Sequence, residues 1–347
     1  MPDRTKRSLS PRVKFFLKYA ASAALTLLFL YLAFRGTDFR SLLDALASAN
    51  YWWIVPSLAA MLTSHYVRAW RWRYLLDPMK PRIGLRNLFS GVMIGYMANN
   101  ILPRAGELAR PYAISKLESI PGGAALGTIV VERVMDIVTF LLIVAALPLL
   151  YYGPLEESFP WLAQAGIITA AVTLLLVIIA VVLMVRRDWT TSLVGLFTRF
   201  LPQRLGMRVE KLSHSFLDGF LFLKRPRNFV VIGVLSVLIW FLYALSTYVA
   251  FYAFGLENTL HFREAVVTLA ISSIGVAIPT PGATGSYHAL TSQTLVKLFT
   301  VNQALALSYA TVTHAAQFVV VTIIGLYYFL KDRISFSLAV RKEEPPA

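Results

Sequence analysis

The stretch NNILPRAGELAR, which runs from Asn99 to Arg110, interrupts a strongly apolar segment with two amides, a proline, a glycine and three charged residues. Inside a membrane, a broken helix must bury its unpaired backbone groups in protein or line a wet cavity. Pro103 and Gly106 permit such a break, and the side chains of Asn99 and Asn100 suit the backbone groups that it frees. The stretch therefore predicts a broken helix at membrane depth, provided that the chain lies in a membrane.

The composition meets that condition. Hydrophobic residues make up 57% of the chain and charged residues 15%, with a mean hydropathy of +0.63, whereas soluble domains average about 45–50% and about 25%. Cysteine is absent, which excludes disulfides and cysteine metal sites. About 20 mostly apolar residues span a bilayer. Six segments qualify: 15–34, 51–75, 122–150, 161–185, 228–254 and 302–330.

Two further apolar stretches, 87–102 and 265–278, are shorter, and a proline follows each of them. The first would reach about 24 Å as a helix, less than the hydrocarbon core of about 30 Å. Basic residues orient a membrane chain because they collect on the cytoplasmic side. Segment 186–227 carries nine of them, whereas loop 35–50 is balanced and loop 151–160 is acidic. The net charge of +15 therefore follows the helix ends, and we expect no nucleic-acid partner.

The charge distribution predicts the domain organisation. We expect a basic cytoplasmic N-terminus (1–14), one transmembrane domain (15–330) with a cytoplasmic interfacial segment (186–227), and a cytoplasmic tail (331–347). Eight full spans would place the interfacial segment outside the cell. We therefore predict an all-α polytopic membrane protein with about six spanning helices and two re-entrant hairpins, which makes eight membrane segments in all.

The two hairpins would enter the membrane from opposite sides as an inverted repeat. Both carry Pro-x-x-Gly at the break, from Pro103 to Gly106 and from Pro279 to Gly282. Paired short segments interrupted by glycine and proline indicate the midplane binding site of a transporter. The alternative is that Pro-x-x-Gly recurs by chance in broken helices.

The first hairpin supplies four candidate binding residues: Asn100, Arg104, Glu107 and Arg110. An arginine beside a helix start and a wet cavity suits phosphate, because the guanidinium group binds phosphate in a bidentate manner. We therefore predict Arg104 as a phosphate ligand. The alternatives are that Asn100 satisfies the backbone and that Glu107 and Arg110 form a local ion pair worth about 0.2–0.5 kcal/mol.

Charged residues at membrane depth form a second candidate group. Glu132, Arg133 and Asp136 lie well inside the third span, where charges are costly and mark a functional path or an internal ion pair. Arg68 shares a helical face with Ser64 and Arg71, directed towards lipid headgroups or the interior. The carboxylates could simply neutralise Arg68, Arg104 or Arg133, and one of them could instead carry a proton.

The second hairpin offers uncharged candidates on a glycine-rich bend, namely Thr280, Thr284, Ser286 and His288. The bend is not a P-loop, and each hydroxyl could serve only the local backbone. The chain carries no catalytic or metal-binding sequence motif. We therefore predict no catalytic residue, no metal site and no cofactor.

Three stretches together carry a family resemblance: NNILPRAGELARPY (99–112), VVERVMDIVTFL (130–141) and IPTPGATGSYHAL (278–290). They resemble the membrane region of lysylphosphatidylglycerol synthases, whose stand-alone relatives are called flippase-like or UPF0104 membrane proteins. The likeness covers roughly 15–330. It implies a bacterial-type inner-membrane protein that translocates lipids between leaflets. Full-length synthases add a soluble aminoacyltransferase domain, which we do not expect in this chain, so synthase activity is not expected.

The residues and the resemblance lead to one functional prediction. We expect a lipid translocase, not an enzyme, that moves an anionic phospholipid or lipid-linked substrate between leaflets, either passively or coupled to ions. It would lie in the cell inner (plasma) membrane with both termini cytoplasmic, and homo-oligomerisation is left open. One alternative is a membrane-embedded enzyme that acts on phospholipid or polyprenyl-phosphate headgroups, with Glu107 and His288 as its acid–base pair. Another is a membrane partner or regulator without a substrate.

Overall fold

The computed structural model describes residues 11–151, 155–185, 195–196, 198–199, 202–224 and 227–335. These residues are helical or in turns, and they contain no strand. The helices are α1 (Pro11–Phe34), α2 (Phe39–Ser48), α3 (Ile54–Leu76), α4 (Leu85–Ile101), α5 (Gly106–Glu118), α6 (Gly122–Leu150), α7 (Leu155–Ser158), α8 (Trp161–Val185), α9 (Gln203–Asp218), α10 (Arg227–Phe251), α11 (Phe262–Ala277), α12 (Ser286–Phe299) and α13 (Gln303–Lys331). The all-α prediction is confirmed for this part of the chain.

Each predicted apolar segment forms a helix with nearly the predicted bounds. Among the residues that the structure describes, two stretches are long and apolar enough to cross a membrane by themselves, Asn228–Phe254 and Gln303–Lys331. Helices α1 and α2, which are bent by 86° at their junction, would make a third span if they cross together. The count of eight membrane segments and the inverted repeat therefore stay predictions.

Loop 35–50, which the sequence marks by its balanced charge, is helical in part. Its second half forms α2, whose first turn is capped by Asp38 through hydrogen bonds from the backbone N–H groups of Arg40 and Ser41. An aspartate at this position satisfies N–H groups that have no partner within the helix. Leu42 on α2 packs into the interior against Leu307 of α13.

Both predicted breaks are present, and each joins two helices that pack closely. In the first hairpin, a side chain at Gly106 would overlap the carbonyl oxygen of Gly95, so α4 and α5 meet backbone to backbone. In the second, a Cβ atom on Gly275 would lie 2.8 Å from the carbonyl oxygen of Ser286, which brings α11 equally close to α12. Small residues at these two points let the helices approach.

The helices form a bundle that brings the breaks together. Helix α3 packs along α10 and α4, and α13 packs along α4 and α12. The short 3₁₀ turn Pro281–Ala283, which lies in the second break, contacts α4 of the first hairpin. Large apolar side chains are exposed on the outside of the bundle, such as Leu142, Val237 and Ile323, as expected for a surface that faces lipid.

The predicted cytoplasmic interfacial segment is described only in part. Its second half forms α9, which exposes Leu205 and Leu212 and packs on α6. The two helices pack so closely that a Cβ atom at Gly127 would overlap the carbonyl oxygen of Phe216. Residues 186–194, like residues 1–10 and 336–347 of the predicted cytoplasmic termini, lie outside the described part of the chain.

Candidate substrate site in the helical bundle

Five charged side chains meet inside the bundle and form what we call the arginine–carboxylate cluster. Arg68 and Arg71 come from α3, Arg110 from α5, and Glu132 and Asp136 from α6. Residues three or four positions apart share a face of a helix, so each pair points the same way. All five are buried, with exposed fractions between 0% and 7%.

Short contacts connect every member of the cluster. The Arg110 guanidinium grips Glu132 with two parallel hydrogen bonds, from Nη1 to Oε1 at 2.7 Å and from Nη2 to Oε2 at 2.8 Å. Arg68 Nη1 lies 2.6 Å from both Glu132 Oε1 and Asp136 Oδ2. Arg71 Nη2 lies 2.6 Å from Asp136 Oδ1. The bidentate Arg110 pair is the strongest kind of charge-assisted contact among them.

The two arginines of α3 are held in place by hydrogen bonds that they donate to α10. Arg71 Nη1 donates to the Ser236 hydroxyl at 2.8 Å, and Arg68 Nη2 donates to the Tyr243 hydroxyl at 3.3 Å. The Tyr243 hydroxyl in turn lies 3.3 Å from that of Tyr96 on α4. The carboxylates of α6 and the hydroxyl groups of α10 therefore orient these guanidinium groups.

The ring of Trp72 holds the third arginine of the cluster, Arg110, in place. The Arg110 guanidinium lies over its ring, with 4.0 Å between Cζ and the ring centroid. The indole N–H of Trp72 donates to Thr128 Oγ1 at 2.9 Å, which holds the ring against α6. A cation over an indole ring gains about 2 kcal/mol or more when it is desolvated.

The charges of the cluster do not cancel. Three guanidinium groups face two carboxylates, which leaves one positive charge inside the bundle. The Nε–H groups of Arg68, Arg71 and Arg110 are buried and have no hydrogen-bond partner within the described residues. Arg133 adds a half-exposed cation at the edge, 3.7 Å from Asp136. Unmet donors and surplus positive charge suit an anion, which would supply both the acceptors and the missing charge.

Four of the predicted site residues belong to this cluster, namely Arg68, Arg110, Glu132 and Asp136. Arg71 was not among the predicted site residues. Its spacing of three residues from Arg68 is the signal that points to it, because both then face the same neighbour. Of the two orientations left open for Arg68, the structure shows the one towards the interior, because its side chain is only 5% exposed.

The local ion pair between Glu107 and Arg110, one of the alternatives for the first hairpin, is not formed. Arg110 turns instead to Glu132, where it gains two hydrogen bonds in a buried place. Glu107 is 43% exposed, and its Oε1 lies 3.9 Å from Nε of Arg133. A buried bidentate contact outweighs an exposed pair on one helix, which is worth only about 0.2–0.5 kcal/mol.

Arg104 lies apart from the cluster, at the tip of the first break. It is exposed, and its backbone has a positive φ of 62°. Within the described residues, its side chain has no hydrogen bond or ion pair. Of the three arginines that the α6 carboxylates could neutralise, they contact Arg68 and Arg133 but not Arg104. The role of Arg104 as a phosphate ligand stays a prediction.

The two asparagines at the break satisfy neighbouring groups, as expected. Asn99 Oδ1 accepts a hydrogen bond from the Gly106 N–H at 2.7 Å, which caps the start of α5. Asn100 Nδ2 donates to the Phe318 carbonyl at 3.2 Å and to Thr322 Oγ1 at 2.8 Å. Asn100 thereby ties the first hairpin to α13.

The candidates on the second hairpin serve mainly the bend itself. Thr280 Oγ1 lies 3.0 Å from Ser286 Oγ, and the Ser286 hydroxyl donates to the Gly275 carbonyl at 2.7 Å. His288 Nδ1 accepts from the Gly285 N–H at 3.3 Å. No described contact joins this bend to the arginine–carboxylate cluster or brings His288 to Glu107. The suggested acid–base pair is therefore not formed in this structure.

An all-helical bundle with exposed apolar faces and a buried cluster of charges is the architecture of a multi-pass membrane protein. The chain belongs to the family described as the lysylphosphatidylglycerol synthase TM region, because the model of that family matches residues 19–325. The resemblance inferred from the sequence is thus confirmed.

Curated relatives come from archaea. A UPF0104 membrane protein of Methanothermobacter thermautotrophicus is 26% identical over 70% of this chain and 75% of its own length. A UPF0104 membrane protein of Methanocaldococcus jannaschii is 32% identical over about a third of each chain, 32% and 33%. The glycosyltransferase AglD of Haloferax volcanii is 25% identical over 96% of this chain, which spans 58% of that relative. No solved structure matches this chain.

Proposed function

We propose that this protein is a lipid translocase that moves lipids with an anionic headgroup between the leaflets of the membrane. The observation that carries the proposal is the surplus positive charge of the arginine–carboxylate cluster, with three guanidinium groups against two carboxylates in the interior of the bundle. A buried charge in a membrane protein is costly and marks a substrate path by default.

The chemistry of the cluster supports a phosphate headgroup. Guanidinium groups bind phosphate oxygens in the same bidentate way as the carboxylate of Glu132 is bound here. A phosphate could therefore compete for Arg110 and use the free Nε–H donors. The acyl chains would stay in the lipid phase, where their transfer costs nothing.

Arg104 would meet the headgroup first. It lies exposed at the tip of the break, beside the start of α5, where the end of a helix also favours negative charge. In this proposal the two broken hairpins are the predicted re-entrant inverted repeat, and the bundle sits in the plasma membrane with cytoplasmic termini. The headgroup would pass from Arg104 to the cluster and leave on the other side.

A membrane-embedded enzyme is the second candidate. The observation in its favour is the alignment with AglD, which is named a glycosyltransferase and shares most of this chain's length. That name belongs to a relative of which this chain spans only 58%. The two candidates differ in one requirement, because transport needs two compartments whereas catalysis does not. Product formation by the purified protein in detergent would favour the enzyme.

The test is a reconstitution of the purified protein into liposomes with a trace of fluorescent phosphatidylglycerol, whose inner-leaflet fraction becomes accessible to an added quencher when it is moved. We expect the Arg104→Ala variant to slow this movement about tenfold or more, because one lost charge-assisted contact is worth about 1.5–3 kcal/mol. Arg104→Lys should recover only part of the rate, because a point charge lacks the fork geometry.

Arg82 provides the matched control. It is also an exposed arginine with a positive φ, of 63°, at a turn before a helix. Arg82→Ala should keep the wild-type rate. No movement of phosphatidylglycerol by the wild-type protein, with or without an imposed ion gradient, would overturn the proposed function. Equal rates for the Arg104→Ala and Arg82→Ala variants would remove Arg104 from it.

A further inference from the structure

Two histidines meet in the second break, away from the arginine–carboxylate cluster. The rings of His288 on α12 and His314 on α13 lie 4.7 Å apart between centroids, at an angle of 63°. His314 Nε2 lies 2.7 Å from the carbonyl oxygen of Gly282. Both rings are thus held against a bend that contacts the first hairpin.

The hydrogen bonds fix where the protons of the two neutral rings sit. A carbonyl oxygen only accepts, so His314 Nε2 carries a hydrogen and its Nδ1 has a free lone pair. His288 Nδ1 accepts from the Gly285 N–H, so its hydrogen is on Nε2. A proton added to His314 Nδ1 leaves the bond to Gly282 in place. A proton added to His288 Nδ1 would break the bond to Gly285.

The surroundings of the pair limit it to one added proton. Two imidazolium rings 4.7 Å apart would repel each other. From α12, the facing titratable groups are His288 and Tyr287, whose ring lies 5.4 Å from that of His314. The nearby part of α4 contributes Asn100, which is uncharged, and the described contacts of α1 with the bend are also uncharged.

We propose that His314, with His288 beside it, binds the proton that couples lipid movement to a proton gradient across the membrane. The inference rests on the proposed function and names its energy source. A proton from water on one side adds to the lone pair of His314 Nδ1, and the same proton leaves to water on the other side. Histidine suits this step because a neutral imidazole can take up a proton on its free ring nitrogen and release it again.

The bend gives the proton a way to act on the lipid path. His314 holds Gly282, which has a positive φ of 57°, and a Cβ atom on Gly282 would lie 3.4 Å from Asn100 Oδ1 of the first hairpin. A charged ring donates a stronger hydrogen bond than a neutral one. Protonation therefore tightens the bend where it contacts the first hairpin.

The carboxylates of the cluster are poorer proton carriers than this pair. Glu132 and Asp136 are each held by at least two arginines, at distances of 2.6 to 2.7 Å. A proton on either oxygen would have to displace a guanidinium group. We therefore assign the proton to the histidine pair and not to Glu132 or Asp136.

The test adds a pH-sensitive dye inside the same liposomes and imposes a proton gradient. The wild-type protein should move phosphatidylglycerol faster with the gradient and carry protons as it does so. His314→Gln should lose both the acceleration and the proton flux, because a glutamine amide can still donate to Gly282 but cannot take up a proton. His261→Gln, which changes a histidine at the start of α11, is the matched control and should keep both.

The outcomes separate the two proposals. Wild-type movement that ignores the gradient, or His314→Gln with full acceleration and proton flux, would overturn the inference alone. No movement of the lipid under any gradient would overturn the proposed function and the inference with it. His288→Asn guards against a misfolded His314→Gln variant, because its Oδ1 can still accept from Gly285. It should keep the acceleration and the proton flux, because His314 still takes up the proton, and loss of both in a folded His288→Asn variant would also overturn the inference.

Discussion

The two broken hairpins are built alike but finished differently. Both bring helix backbones into contact at small residues, Gly95 with Gly106 and Gly275 with Ser286. The second helix of the first hairpin carries Arg110 into a charged interior, whereas the second helix of the other begins with hydroxyl and imidazole groups that bond to its own bend. The shared part makes a break possible in a membrane, and the differing part decides what each break can bind.

This difference assigns separate tasks to the hairpins within the proposed function. Fixed positive charges attract and hold an anion but cannot change with the conditions in the cell, because an arginine side chain is always charged. Histidines respond to pH but hold an anion weakly when neutral. Variants at the residues that build the two hairpins test this contrast.

The largest effect is expected from Glu132→Gln. The substitution leaves three buried arginines with one carboxylate, and removal of one partner of a buried ion pair costs about 3–5 kcal/mol of unfolding free energy. Equilibrium unfolding in mixed micelles measures this loss. Glu107→Gln is the control, because the Glu107 side chain is 43% exposed and its contact with Arg133 is long, at 3.9 Å. If both variants are equally stable, the cluster does not hold the first hairpin.

An intermediate effect is expected from adding a methyl group at the closest backbone contacts. Gly106→Ala and Gly275→Ala each force a Cβ atom against the backbone of the facing helix. Such overpacking costs typically about 1–3 kcal/mol, and we expect the larger loss at Gly106, where the overlap is greater.

The same unfolding measurement checks this ranking. Gly233→Ala on α10 is the control, because a Cβ atom there meets no other atom within 4 Å. It should be neutral or stabilising by about 0.5–1 kcal/mol, since alanine favours a helix more than glycine does. Wild-type stability of both Gly106→Ala and Gly275→Ala would contradict the close packing of the hairpins.

The smallest effect is expected from Asn99→Ala. The variant removes the acceptor for the Gly106 N–H and should cost about 0.5–2 kcal/mol, as the loss of a helix cap does. Asn99→Asp keeps an acceptor and places a negative charge at the start of α5, so it should remain close to wild type. Equal losses in thermal stability for both variants would mean that the cap is not what Asn99 provides.

The sequence predicts the helices well and the partners of the charged residues poorly. Apolar runs and the breaks at Pro103 and Gly106 are local features, so helices α3, α4 and α6 were placed within a few residues. The partner of Arg110 is not local. The spacing to Glu107 suggests a pair on one helix, whereas the fold supplies Glu132 on the next helix with better geometry.

The site was predictable only where depth alone identified it. Glu132 and Asp136 drew attention because charges are rare inside apolar spans. Arg71 sits in an aromatic-rich stretch that is equally typical of a membrane interface, so its burial appears only once α10 is packed against α3. Helix α2 was missed because ten residues with a balanced charge give a weak signal beside the long spans.

The arginine–carboxylate cluster also affects how the chain is inserted into the membrane during its synthesis. Arg68 and Glu132 are 64 residues apart, which is roughly 3 to 13 seconds of synthesis at about 5–20 residues per second. For that time α3 carries buried cations whose counterions have not yet been made, and each costs about 2.5–3.5 kcal/mol at the centre of a helix that enters lipid alone. These unpaired cations disfavour the transfer of α3 into lipid before α6 has been synthesised. We therefore expect α3 to stay at the insertion machinery until then, and the two helices to enter the lipid as a pair.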